Sequence, residues 1–355
     1  MRTKLFSPYQ IGAMKMKNRI SVPPMCMYQA TDGMPNVWHT VHYGKLAGSG
    51  AALVCVEATG VTPEGRITPQ DLGLWNNEQR DAMRSMLEAM RRVDRSTKVI
   101  IQLSHAGRKA SCWMGGKNAD VADGGWDIIA PSAIATSSAH RVPKAMTKDD
   151  IDAVIQAFAL AALRAQEAGF DGIQLHCAHG YLMHQFLSPI TNHRTDEFGG
   201  SLENRMRLPL MVFEAIKQAA PELTIGVRVS ATDWIDGGWN EEENIIFVKE
   251  LQRLGCEFVD VSAGGLAPMQ KIEVAYGYQL PYAQRVKAET GMPTLCCGLI
   301  KYSAQAETIL VQGVADMVDV GRMMLLDPHW GWRAALELGD DSVELPYSYA
   351  RGMRL

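Results

Sequence analysis

The segment with the clearest chemical potential contains two histidines and a tyrosine within six residues, namely His176, His179 and Tyr181. It directly follows an apolar run that predicts a buried strand, so the three side chains can converge on one ligand. Two imidazoles can hydrogen-bond a carbonyl oxygen and stabilise negative charge that develops on it. A neighbouring phenol can supply a proton to an adjacent carbon. The segment therefore predicts a site that polarises a carbonyl compound.

The same histidine pair could instead hold a metal ion. A metal site needs a third and a fourth ligand, for which His105, Cys177 and Asp233 are candidates. No HxH, HExxH or cysteine cluster accompanies them. The pattern therefore favours a site without a metal, and a metal-dependent hydrolase is the alternative.

A phosphate-binding pattern lies near the C-terminus. Val320-Gly321-Arg322 closes one apolar run and opens a helical pattern, and Gly298 follows the preceding apolar run. Backbone N–H groups at the start of a helix, a glycine that permits close approach and an adjacent arginine suit a phosphate. A tight turn with an arginine facing solvent is the alternative interpretation.

Two polar residues lie within or at the end of apolar runs. Arg228 lies in the run 225–229, where a charge is costly unless it is paired. Its partner is predicted to be either an anionic ligand or a carboxylate of the protein. Gln102 ends another run and is predicted to offer hydrogen bonds at the same edge of the fold. Cys26 also follows an apolar strand pattern, although a lone cysteine in such a segment usually serves packing.

The elements that must position these residues alternate along the chain. Eight apolar runs predict strands at 19–22, 52–57, 99–103, 172–175, 224–229, 258–261, 293–296 and 317–320. Helical patterns lie at 41–46, 78–93, 149–168, 202–219, 241–254, 281–289, 304–311 and 330–338. Thr147 predicts the start of one helix and Gly169 its end. The alternation predicts an α/β fold, a (β/α)8 TIM barrel whose strands deliver the residues after them to one rim.

The 355 residues are predicted to form a single barrel domain over 1–355, with an N-terminal cap. The segment 104–146, after the third strand, is too long for an ordinary connection and is predicted to form a lid or cap with some local structure.

The composition narrows the function further. The net charge is −4 and the basic residues are scattered, so we expect no nucleic-acid partner. No apolar run approaches the ~20 residues of a membrane-spanning helix, and no secretory signal follows the start, so no membrane partner is expected. Seven cysteines without a CxxC pair are typical of reduced thiols, which predicts a cytoplasmic protein.

Taken in chain order, the motifs resemble the old yellow enzyme family. The resemblance is carried by Lys17-Asn18-Arg19-Ile20, Pro23-Pro24-Met25-Cys26, Gln102-Leu103-Ser104-His105-Ala106-Gly107-Arg108-Lys109, His176 to Tyr181, Asn192-His193-Arg194-Thr195-Asp196 and Gly321-Arg322. Cys26, Tyr28 and a short tail with Arg351-Gly352 look similar to the thermophilic-like bacterial subgroup that includes xenobiotic reductases. The likeness covers essentially the whole chain.

The resemblance implies an FMN-dependent ene-reductase that uses NADPH or NADH. NAD(P)H would reduce FMN, and flavin N5 would then pass a hydride to the β-carbon of an activated alkene. Enones, maleimides and nitroalkenes are the implied substrates, with nitrate esters as a further class. His176 and His179 would bind the carbonyl oxygen, and Tyr181 would donate the proton.

The resemblance also assigns binding residues. The implied FMN ligands are Pro24, Met25, Cys26, Ala58, Gln102, Arg228, Gly298, Gly321 and Arg322. Arg322 would bind the phosphate, Arg228 the N1/C2-carbonyl edge, and Cys26 would lie near N5 and O4. Tyr28 would line the substrate pocket. Arg351 would complete the site of a neighbouring subunit in a homodimer or homotetramer.

Cys297 departs from the family pattern. Xenobiotic reductases can carry a tryptophan at this place after the seventh strand, and the smaller side chain is predicted to enlarge or reshape the substrate pocket. Cys26 supports another alternative, a flavin protein that senses redox state rather than acting as a metabolic catalyst.

Overall fold

Eight parallel strands close into a barrel in the computed structural model, which describes residues 2–354. The strands in the described part of the chain are β1 Tyr9–Ile11, β2 Met14–Met16, β3 Ile20–Val22, β4 Leu53–Gly60, β5 Lys98–Ser104, β6 Ile129–Ala130, β7 Lys144–Ala145, β8 Gly172–Cys177, β9 Thr224–Ser230, β10 Phe258–Ser262, β11 Thr294–Cys296 and β12 Met317–Asp319. The barrel runs in the order β3, β4, β5, β8, β9, β10, β11, β12, with β12 pairing back onto β3. This confirms the predicted (β/α)8 barrel.

The helices follow the barrel strands as predicted. They are α1 Val37–Ala47, α2 Asn77–Val93, α3 Lys148–Ala168, α4 Leu182–Leu187, α5 Leu202–Ala219, α6 Glu241–Arg253, α7 Leu280–Thr290, α8 Ser303–Val311, α9 Arg322–Leu326 and α10 Trp330–Leu338. The prediction missed the short helices α4 and α9. It also started α1 four residues late. The helix begins after Asn36, which caps it by accepting a hydrogen bond from Trp38 N at 2.9 Å. None of the described helices is long and apolar enough to cross a membrane.

The N-terminal residues close one end of the barrel. β1 and β2 form an antiparallel hairpin, and its buried Ile11, Met14 and Met16 pack with barrel residues such as Phe258 and Leu295. Phe258 is the first residue of β10 and Leu295 the second residue of β11. The hairpin therefore forms the predicted cap at the end opposite the rim that receives the loops.

The long segment between β5 and α3 has local structure of its own. It contains two 3₁₀ turns and the short parallel pair β6 and β7. Arg108 anchors it across the rim by donating to Leu266 O at 2.9 Å and to Ala135 O at 3.2 Å. The predicted local order is confirmed, and the movement of this segment as a lid stays a prediction.

Close packing between β9 and β10 depends on one glycine. Gly226 pairs in register with Phe258, and a Cβ atom at Gly226 would lie 2.3 Å from Phe258 Cε1. The aromatic ring therefore occupies the space that a side chain at Gly226 would need.

We expect Gly226→Ala to destabilise the protein by about 1–3 kcal/mol, because the ring must leave its position inside the barrel. Urea denaturation of the variant would measure this. Phe258→Leu in the same chain should relieve the clash, so the double variant should lose less stability than the sum of the single variants. Additive losses would contradict the packing explanation.

Candidate functional site

The loops that follow the barrel strands surround a cavity of about 730 Å³. Most of the residues singled out from the sequence line it. They are Pro24, Met25, Cys26, Ala58, Gln102, His176, His179, Tyr181, Arg228, Cys297, Gly298, Gly321 and Arg322. The volume lies within the range of small-molecule and cofactor sites. The barrel thus brings together segments that are up to about three hundred residues apart in sequence.

The histidine pair and the tyrosine form one cluster beside β8. The ring centroid of His176 lies 5.2 Å from that of His179 and 4.9 Å from that of Tyr181. Ala178 N donates to His176 Nδ1 at 3.2 Å, so the His176 proton must be on Nε2. His179 Nε2 lies 2.8 Å from Ser262 Oγ, within hydrogen-bond distance. The cluster therefore has ring nitrogens available to a ligand in the cavity.

Burial keeps these groups uncharged. It lowers the pKa of His176 and of His179 well below the usual value, and the nearby Arg228 charge acts in the same direction. Burial also raises the pKa of Tyr181 well above its usual value. At neutral pH the site therefore offers two neutral imidazoles and a protonated phenol.

His179 is held in a strained backbone conformation, with φ at 58°. Its N–H donates to Ser230 Oγ at 3.0 Å, and its carbonyl accepts from Lys109 Nζ at 2.9 Å. Lys109 Nζ also donates to Gly265 O at 3.0 Å and lies 4.9 Å from the centroid of the Tyr181 ring. Burial and the neighbouring Arg108 lower the pKa of Lys109 to about 8. These contacts fix the segment that carries the cluster.

Arg228 has a protein carboxylate as its partner. Its Nε lies 3.1 Å from Asp260 Oδ2, which also accepts from Gln174 Nε2 at 3.0 Å. Gln174 Oε1 in turn accepts from Gln102 Nε2 at 2.7 Å. Of the two partners predicted for Arg228, the structure supplies the carboxylate, and the arginine also lines the cavity. Burial and Asp260 raise the pKa of Asp319 well above its usual value, so this neighbouring carboxyl is protonated.

The donor set of the cavity suits the cofactor that the sequence implies. The cations Arg322 and Lys301 line it together with Gly321 and Gly298. Gly298 has φ at 123°, a backbone conformation that favours glycine. Cations beside glycine backbone suit a phosphate. Arg228 and Gln102 also line the cavity, and their N–H groups are of the kind that suits the polar edge of a flavin ring.

Glu57 is a buried group that the sequence reasoning missed. It lies in β4, where its Oε2 accepts from Met27 N at 2.7 Å and its Oε1 accepts from Tyr43 Oη at 3.1 Å. The first contact fixes the residue that follows Cys26. Burial raises the pKa of Glu57 to about 8. The buried-charge argument that singled out Arg228 applies equally to Glu57 and could have found it.

Asp233 and His184 were also not recognised as a pair. His184 Nδ1 accepts from Gly180 N at 2.9 Å, and its Nε2 donates to Asp233 Oδ1 at 2.8 Å. Asp233 Oδ2 accepts from Ser188 Oγ at 2.6 Å and from Trp239 N at 2.7 Å. This buried network holds the turn between His179 and Tyr181. Its signal in the sequence is weak, because the two residues are far apart in the chain.

The metal alternative gains no third ligand from the structure. His105, Cys177 and Asp233 are all buried and do not line the cavity. Within residues 2–354, no group of three or more His, Cys, Asp and Glu side chains is arranged to hold a metal ion.

Tyr28 and Arg351 do not line the main cavity. Tyr28 lines a neighbouring space of about 140 Å³ that shares Lys109 with it. The Tyr28 hydroxyl is hydrogen-bonded with the Cys26 thiol, and burial raises the pKa of both groups. Arg351 is exposed, with its guanidinium carbon 5.8 Å from the centroid of the Tyr347 ring.

The chain is similar to known proteins in both sequence and structure. The model of the NADH:flavin oxidoreductase / NADH oxidase family matches residues 4–341. An NADPH dehydrogenase of Geobacillus thermodenitrificans is 41% identical over 356 residues, covering 100% of both chains. An NADPH dehydrogenase of Bacillus subtilis is 40% identical, covering 99% of this chain and 100% of its own. The solved structure of morphinone reductase matches with a TM-score of 0.79 at 26% identity, over 98% of this chain and 93% of that chain.

The raised pKa of Glu57 predicts a pH-dependent contribution to stability. The carboxyl titrates at 4.5 when unperturbed and at about 8 in the folded protein. At pH values between these two, the Glu57 carboxyl is ionised in the unfolded chain and protonated in the folded protein. The stabilisation is therefore fully present below 4.5 and is lost as the pH rises through about 8.

Glu57→Gln removes this titration. The free energy of unfolding of the variant, relative to that of the wild type, should therefore rise by roughly a few kcal/mol between about pH 5 and about pH 9. Urea denaturation at both pH values measures the difference. Glu88→Gln, at an exposed position of α2, is the matched control and should show no such trend. A constant difference between the wild type and Glu57→Gln would contradict the assignment.

Proposed function

The chain belongs to the NADH:flavin oxidoreductase / NADH oxidase family, the old yellow enzymes, and we propose that it reduces the carbon–carbon double bond of electron-poor alkenes. The family and the NADPH dehydrogenase relatives make it an NAD(P)H-dependent flavin oxidoreductase with FMN as its cofactor. The predicted family, cofactor and enzyme class are thereby confirmed. The substrate class and the role of each residue are the proposal.

One observation carries the proposal. In the cavity that suits FMN, the neutral ring of His176 lies 5.2 Å from the neutral ring of His179 and 4.9 Å from the protonated phenol of Tyr181, measured between ring centroids. Neutral donors of this kind stabilise an oxygen that becomes negative during a reaction. A protonated phenol beside them can complete the reaction by giving its proton to carbon.

The residues of the cavity wall would hold FMN. The proposed set is Pro24, Met25, Cys26, Ala58, Gln102, Arg228, Gly298, Gly321 and Arg322. Arg322 would bind the phosphate, and Arg228 would donate to the N1/C2-carbonyl edge. When bound, FMN supplies the hydride chemistry, taking a hydride from NAD(P)H and giving it to the β-carbon of the alkene.

The protein would activate the alkene through its carbonyl group. His176 and His179 would donate hydrogen bonds to the carbonyl oxygen and so draw electron density from the double bond. Tyr181 would then donate its phenolic proton to the α-carbon, which leaves a saturated product. The side chains of Lys109 and Ser230 hydrogen-bond the backbone of His179 and hold it in place for this function.

Enones, maleimides and nitroalkenes fit the proposed chemistry, with nitrate esters as a further class. Cys297 lines the cavity and contributes a small side chain to the substrate region. NADPH or NADH would use the same space before the alkene binds, which predicts ping-pong kinetics.

A second copy of the chain would extend the site. Arg351 is exposed and lies outside the cavity of its own chain, so it is available to a neighbouring subunit in a homodimer or homotetramer. Tyr28 would reach substrates that extend past Lys109. Seven free cysteines favour a reducing compartment, and we propose the cytoplasm.

The first experiment is a visible spectrum of the purified protein under anaerobic conditions. Flavin absorbance should fall when NADPH is added and should return when cyclohexenone follows. A fall without recovery would contradict the enone substrate class. Negligible turnover combined with a response of the spectrum to thiol oxidation would favour the redox sensor acting through Cys26. A colourless protein that takes up no FMN would contradict the proposal.

Tyr181→Phe tests the proton donor separately. The variant keeps the ring but removes the proton, so reoxidation by cyclohexenone should slow by about 10²-fold. Reduction of the flavin by NADPH needs no phenolic proton, so the rate of that step should change much less. Stopped-flow absorbance resolves the two steps. Tyr302→Phe, at an exposed tyrosine, is the matched control. Equal slowing of both steps in Tyr181→Phe would contradict the assignment of Tyr181 as the proton donor.

A further inference from the structure

A row of side chains crosses the cavity wall from Arg228 to His179. Arg228 Nη2 lies 3.8 Å from Cys297 Sγ, and Cys297 Sγ lies 2.9 Å from Gln279 Oε1. A guanidinium has only donors, so the sulfur must accept from Arg228. The thiol proton then goes to Gln279 Oε1, which is much nearer than the other acceptor, Val261 O at 3.6 Å. Burial raises the pKa of Cys297 to about 12, so the thiol keeps that proton at neutral pH.

The row continues from Gln279 to the histidine ring. Gln279 Nε2 donates to Ser262 Oγ at 3.2 Å and approaches Ala263 O at 3.4 Å. The carbonyl of Ala263 cannot donate, so the amide nitrogen must face it and the amide oxygen must face Cys297. Ser262 Oγ accepts from the amide, so its own proton can go to His179 Nε2, at 2.8 Å, or to the Cys297 sulfur. The Cys297 sulfur already accepts from Arg228, which favours donation from Ser262 to His179 over donation to Cys297.

We infer that Cys297, Gln279 and Ser262 are positioning residues that hold His179 in the tautomer with its proton on Nδ1. His179 Nε2 is occupied as an acceptor, so only Nδ1–H is left to donate to a ligand. His176 has the opposite arrangement, because its Nδ1 accepts from Ala178 N and its proton is on Nε2. The two rings thus present one N–H each.

The fixed tautomers explain how two histidines can act as a pair. A neutral imidazole has one donor and one acceptor, and a ring that turned its acceptor to a carbonyl oxygen would repel it. This consequence for catalysis rests on the proposed function, whereas the tautomer itself is a property of the protein. Cys297 contributes both a donor and an acceptor. An aliphatic side chain has neither, and a tryptophan has only a donor.

The tautomer can be measured directly. In FMN-loaded protein with isotope-labelled histidine, long-range proton–nitrogen correlation spectra distinguish a protonated ring nitrogen from a bare one. The signals of His179 among the nine histidines are identified by their loss in His179→Ala. The wild type should show a protonated Nδ1 and a bare Nε2. A protonated Nε2 in the wild type would overturn the inference.

The variants test the source of the preference. Gln279→Met and Ser262→Ala should convert His179 into a mixture of tautomers and lower kcat/KM for cyclohexenone by about tenfold at unchanged FMN content. Cys297→Val should act in the same direction, and Cys297→Ser, which keeps an O–H donor, should restore the wild-type spectrum. Gln312→Met, at an exposed glutamine, is the matched control.

An unchanged His179 spectrum in Gln279→Met, Ser262→Ala and Cys297→Val would overturn the inference. If Gln279→Met does not fold, the comparison of Cys297→Val with Cys297→Ser decides the question. A wild type without enone turnover would count against the proposed function only, because the spectrum of His179 reports the tautomer whether or not the alkene is reduced.

Discussion

The interior of this barrel is organised around one buried charge, the guanidinium of Arg228. A charge at this position is tolerated only when a partner and further hydrogen bonds compensate its lost hydration. Asp260 on the next strand is that partner, at 3.1 Å, and Gln174 and Gln102 extend the bonds across β8 and β5. The protonated Asp319 adds no second negative charge. Four strands are therefore tied together by polar contacts at the level where the cavity begins.

The second constraint is the strained backbone at His179. A non-glycine residue at positive φ persists only when its surroundings determine it, and here Ser230 and Lys109 hold the N–H and carbonyl on either side. The buried pair of His184 and Asp233 holds the turn that follows. The geometry of the cluster thus depends on residues outside the cluster. Such supporting contacts bring the two imidazoles and the phenol to one place.

Most of the fold could be predicted from the sequence, because the eight apolar runs and the helical patterns between them are local signals. The cluster from His176 to Tyr181 was predictable for the same reason. The pairing of Asp233 with His184 and the choice of Asp260 as the partner of Arg228 were not, since each depends on which distant strands or loops lie side by side. The start of α1 was misplaced because the cap at Asn36 lies before the apolar pattern begins. Tyr28 and Arg351, which lie outside the cavity of this chain, were assigned from family resemblance alone.

The electrostatic character of the cavity follows from these pairings. Arg228 is matched by Asp260, both histidines are neutral, and Tyr181 keeps its proton. Lys109 directs its donors to two backbone carbonyls. The groups at the proposed substrate position are therefore mostly uncharged donors, which stabilise an oxygen more strongly as its negative charge grows. A site of this kind binds a neutral carbonyl compound only moderately and the developing enolate more tightly, and this difference is the source of rate acceleration.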